Sequence, residues 1–96
     1  MIWKAMIWKD MALTREDLLR LLPGAVGELP WRAEGDRIVV GDEAGVELRV
    51  DPLPPRRFGP VDIPRLRVGF TFRGWEEAER RAFLARFDRA FQRGGG

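Results

Sequence analysis

The spacing of apolar residues changes period twice along this chain. From Leu13 the code is helical: Thr14 is placed to cap, Asp17 follows three residues on, and Leu13 and Leu18 flank the start as a hydrophobic staple. Leu18, Leu19, Leu21 and Leu22 then supply one apolar side, and Pro23-Gly24 predicts the end of this helix. Beyond Pro30 the period drops to two. Trp31 and Ala33, Ile38-Val39-Val40, then Val46, Leu48 and Val50 read as strands joined by turns at Glu34-Gly35-Asp36 and Gly41 to Gly45. Leu66, Val68, Phe70 and Phe72 repeat the alternation against Arg65, Arg67, Thr71 and Arg73, which describes a sheet with one face apolar and the other wet.

The helical period returns from about Trp75 to Arg93. Phe83, Leu84, Phe87, Ala90 and Phe91 form its stripe, with Glu76, Glu77 and Glu79 at the N-terminal end and Arg86, Arg89 and Arg93 toward the other. The order α-β-β-β-β-α predicts an α+β fold, a small antiparallel sheet with both helices on its apolar face. The Leu18, Leu21, Leu22 spacing also matches an LxxLL docking box, but in so small a domain those leucines are expected in the core.

Two segments stand outside this pattern. Residues 51–64 hold five prolines, which predicts a semi-rigid loop or arm rather than a central strand, with an edge strand through Val61 and Ile63 at most. Pro52, Pro55 and Arg57 there fit a PxxPx(K/R) spacing, a pattern too common in Arg- and Pro-rich chains to define a ligand. At the N-terminus Met1-Ile2-Trp3-Lys4-Ala5 is nearly repeated by Met6-Ile7-Trp8-Lys9-Asp10, and both lysines of the chain lie in that repeat. Residues 1–10 are accordingly expected to be an expression-derived or otherwise atypical extension, dispensable to within ~1 kcal/mol of stability. Residues 11–93 are then the single domain, and 94–96 a flexible glycine tail.

Composition narrows the chemistry sharply. The 96 residues include no Cys, His, Tyr, Ser or Asn. Imidazole bases, thiol nucleophiles, N/S metal sites and disulfides are therefore excluded, and the expectation is a protein without catalytic residues, metal or cofactor. A carboxylate pair of the glycosidase kind is the chemistry left, and a domain of this size has no cleft to hold a sugar. The pI of about 9.9 overstates the basicity, because the formal charge is only +2 and almost nothing titrates between carboxylates and lysines. The charge is instead divided along the chain, −4 over residues 11–51 and +4 over residues 52–73.

These readings predict a small non-catalytic accessory domain of the cytoplasm that binds another protein or itself, a homodimer included, with no membrane partner. The candidate apolar contacts are Trp31, Leu53, Phe58, Val61 and Ile63. The alternative is an anion or nucleic-acid binder in which Arg49, Arg56, Arg57, Arg65, Arg67 and Arg73 contact phosphates on the open sheet face and Phe58 or Trp31 stacks on bases. Whether those arginines stand free or are tied up by acids separates the two readings.

Overall fold

Five strands and two helices account for residues 7–94, the part of the chain that the computed structural model describes. They follow in the order β1 (Ile7–Met11), α1 (Arg15–Val26), β2 (Trp31–Glu34), β3 (Arg37–Gly41), β4 (Gly45–Phe58), β5 (Val61–Arg73) and α2 (Glu77–Gly94). The sheet is antiparallel throughout, in the spatial order β1-β5-β4-β3-β2. The α+β class is as the periodicity predicts.

The first strand is a departure. Ile7–Met11 pairs with β5 in the register Ile7↔Phe70 to Met11↔Leu66, so four of the ten residues set apart on composition belong to the sheet. Ile7 and Met11 are half-buried against the core, and Lys9 Nζ reaches Asp88 of α2 at 3.1 Å. Local propensity did not signal this strand because five residues with one lysine and one aspartate carry little pattern of their own; the free edge of β5 recruits them. Residues 1–6 of the expected extension, and Gly95 and Gly96 of the expected tail, lie outside the described residues. Gly94 closes α2.

α1 starts as its sequence dictates: Thr14 Oγ1 accepts from the Asp17 N–H at 3.1 Å, and Leu13 and Leu18 are buried. It does not stop at Pro23, however, but runs one turn further to Val26 and ends at Gly27, whose positive φ of 63° suits a glycine. Two interactions offset the proline's missing N–H. Ala25 and Val26 are buried in the core, and Arg86 Nε of α2 donates to the Ala25 carbonyl at 3.3 Å, supplying the cation that the last turn of α1 lacks. α2 is opened by Glu79, whose carboxylate accepts from the Glu76 N–H at 3.1 Å, and Glu77 meets Arg81 at 2.7 Å.

One apolar core lies between the helices and the sheet. Leu18, Leu22 and Val26 of α1 and Phe83, Phe87 and Phe91 of α2 close on Val46, Leu48, Val50, Leu66, Val68 and Phe70. The LxxLL leucines thus serve the core, since Leu18 and Leu22 are fully buried. Phe87 stands at its centre, edge-on to Phe70 at 5.0 Å and 4.4 Å from Phe91 between ring centroids. No polar or charged residue is buried among the described residues.

The prolines of 51–64 do lie in strands, contrary to the loop expected for them. β4 and β5 continue past their neighbours as a two-stranded ribbon that turns at Gly59-Pro60. The Val50 N–H donates toward β3, to the Asp36 carbonyl at 2.8 Å. By the alternation of an antiparallel strand, Pro52 and Pro54 present their nitrogens to that same side, where β3 has already ended. A register shift between Leu53 and Arg56 absorbs Pro55, and Pro64 faces the side of β5 beyond the end of β1. Nowhere does a ring stand where a ladder N–H is required.

Candidate functional site

Two surfaces remain after the helices have covered one side of the sheet: the open face, and the ribbon that prolongs it. Side-chain alternation assigns their residues. On β5 the odd positions Val61, Ile63, Arg65, Arg67, Thr71 and Arg73 point away from the helices, since Leu66, Val68, Phe70 and Phe72 point into the core. Cross-strand pairing adds Phe58 opposite Val61, Arg56 opposite Ile63, Leu53 opposite Arg65, and Trp8 and Asp10 opposite Gly69 and Arg67. Met11, Ile63 and Phe58 with Asp10, Arg56 and Arg65 consequently line an open groove of about 260 Å³ between the end of β1 and the arm.

The arginines on this face are mostly occupied. Asp10 holds two of them, with Arg67 Nε at 3.3 Å and Arg65 Nη2 at 3.8 Å, and the Arg67 guanidinium also lies 6.0 Å from the centroid of the Trp8 ring. Arg49 Nη2 is 3.4 Å from Asp36, and Arg57 Nε donates to Asp62 at 3.0 Å on the opposite side of the arm. Arg37 pairs with Glu47, whose hydrogen bond and charge push the guanidinium further toward its protonated form. Arg73 is tied to the backbone instead, donating to the carbonyls of Asp42 at 2.9 Å and Glu43 at 3.2 Å and so fastening the β3–β4 turn to the end of β5. That turn is tight enough that a Cβ at Gly45 would run into the Val40 carbonyl oxygen. Of the six candidate arginines only Arg56 has neither an ion pair nor a hydrogen bond among the described residues.

The structure therefore does not assemble the six arginines into one free row. Arg65 and Arg67 are neighbours, Arg49 sits two strands from β1, Arg73 is bound to a turn, and Arg56 and Arg57 point to opposite sides of the arm. The apolar candidates divide as well. Leu53, Phe58, Val61 and Ile63 share the arm's open face, but Trp31 pairs with Val40 on the helix side and packs against the core. Trp8, within the segment whose composition sets it apart, lies on the open face instead.

Among the described residues no group of three or more acidic side chains is placed to hold a metal ion, and no helix is long and apolar enough to cross a membrane. No protein-family model matches this chain, and no curated protein matches it in sequence.

Proposed function

We propose that this protein is a small non-catalytic accessory domain that docks a protein partner, itself included, through the open sheet face and its projecting arm. One observation carries the reading. The exposed large hydrophobic residues among those described are Trp8, Phe58 and Val61, at 48%, 57% and 55% exposure, and all three lie on the face the helices leave bare. Exposed apolar side chains scattered over a surface need no explanation, whereas three on one face, two of them directly opposed at the tip of a ribbon, make a contact surface. The charge around them is mixed and largely self-neutralised, which suits a protein neighbour better than a polyanion. The chain's lack of imidazole and thiol groups supports the non-catalytic part.

The nucleic-acid reading keeps one foothold, Arg56 beside Arg65 and Phe58 in the groove. A photoreactive phenylalanine analogue at position 58, with the same probe at exposed Glu16 as control, decides between them. Protein adducts from position 58 and none from position 16 are expected. Adducts to nucleic acid, or oligonucleotide affinity that falls steeply with salt and loses about one unit of logarithmic slope on Arg56→Ala, would replace the docking reading by the other.

A further inference from the structure

Strand β4 begins at Gly45, immediately after the Asp42-Glu43 turn, and ends at Phe58 in the tip of the arm. Its fourteen residues span about 43 Å at ~3.3 Å each, nearly the 45 Å of the longest molecular axis. The turn and the tip thus mark the two ends of one continuous surface. Their charges are opposite. Asp42 and Glu43 are exposed, and neither carboxylate is in an ion pair among the described residues, their carbonyls alone being taken by Arg73. At the other end stands Arg56, equally without a partner, beside Phe58 and Ile63.

From this polarity, and resting on the docking reading above, we infer that the open face binds a second copy of this chain about a two-fold axis, with the long strands antiparallel, so that each arm lies over the other copy's Asp42-Glu43 turn. A two-fold axis makes every contact twice. Antiparallel alignment sets Arg56 of each copy toward the acidic turn of the other, one guanidinium against two carboxylates that have no ion pair among the described residues; parallel alignment would set like charges together. With the two-fold axis near the middle of β4, Phe58 and Val61 are carried over the turn end of the partner's sheet, where Gly45 has no side chain. The central five strands at ~4.8 Å spacing, together with the ribbon, offer on the order of 700 Å² of face, close to the ~800 Å² per partner of a standard stable interface.

Charge reversal tests this in the intact chain. Sedimentation velocity across a hundredfold concentration range should show a species of twice the 11.0 kDa chain mass. Arg56→Glu alone, and Asp42→Arg with Glu43→Arg alone, should each weaken dimerisation by at least about tenfold, and mixing the two variants should restore a heterodimer. All three positions are exposed, so circular dichroism should report the same fold for every variant. Because the chain has no cysteine, Arg56→Cys and Glu43→Cys variants add a second measurement: oxidation of the mixture should give a disulfide between the two variants faster than either gives one with itself. A monomer at every concentration, or a dimer indifferent to both reversals and without the mixed disulfide, would overturn the inference. Protein adducts from position 58 on a monomeric chain would remove this arrangement and leave the docking reading standing.

Discussion

Phe87 and Phe58 are the same side chain in opposite environments, and Phe→Ala at each makes a controlled measurement of what the core contributes. Phe87 is fully buried, flanked by Phe83 and Phe91 one helical turn away on either side and met edge-on by Phe70 of β5. Loss of its transfer free energy alone is worth about 1.5–3 kcal/mol. The cavity adds to that, because the three surrounding rings are fixed by two different elements and cannot all move inward, which sets Phe87→Ala toward the upper end of the usual ~3–5 kcal/mol. At 4–8 °C per kcal/mol for a domain of about this size, the midpoint should fall by roughly 15 °C or more. Against a total stability of order 5–15 kcal/mol the variant is expected to fold marginally. Phe58 is 57% exposed in the single chain, and Phe58→Ala should stay within ~0.5 kcal/mol of the parent at concentrations low enough to keep the chain monomeric. Urea denaturation followed by tryptophan fluorescence measures both. Equal costs at the two positions would refute the placement of α2 across the sheet.

Deletion of residues 1–11 removes the half-buried side chains of Ile7 and Met11 and uncovers the edge of β5, so a loss of about 2 kcal/mol is expected, from roughly half-burial of two large side chains. An unchanged melting temperature would show that β1 contributes nothing and restore the view of the whole extension as dispensable. Acid should act on α1: Arg20 first, then Thr14, lower the pKa of Asp17 from its usual 3.8, so the stabilisation is complete above that value and is lost as pH falls through the lowered one. Thermal melts should therefore be flat from about pH 6 to 9, where no side chain of this composition titrates, and drop below about pH 4, less steeply in Asp17→Asn. A step in melting temperature near pH 7 would contradict this.

What could be read from the chain alone was whatever its neighbours in sequence enforce. The Thr14 cap, the Leu13–Leu18 staple, the alternation from Val46 to Val50 and from Leu66 to Phe72, and the Phe83-Phe87-Phe91 stripe are local patterns, and they gave the α+β class and most of the core. The departures were all settled at a distance. Pro23 reads as a helix stop until Arg86, from the other helix, takes up the Ala25 carbonyl. Ile7–Met11 becomes a strand only because β5 has a vacant edge. Pro52, Pro54 and Pro64 are tolerated in strands because of where β3 and β1 happen to end, a matter of tertiary register. The candidate site was legible in residue type and not in arrangement: the arm was located, but the pairing of Arg65 and Arg67 with Asp10 joins residues more than fifty positions apart, and it decides how much free charge that face has.

The same three prolines bear on a different property of the molecule. A ribbon that extends beyond its sheet with a bare phenylalanine and valine at the tip has the makings of a fibril seed, since an unpaired rim can template one strand after another. Pro52 and Pro54 on one rim and Pro64 on the other remove donors that such growth would require. Strand addition along the rims of the arm is disfavoured at those positions, and what the arm still offers is its flat side. Those residues thus bear on how the arm meets other chains rather than on the stability of the core, in a protein that carries apolar side chains so far from it.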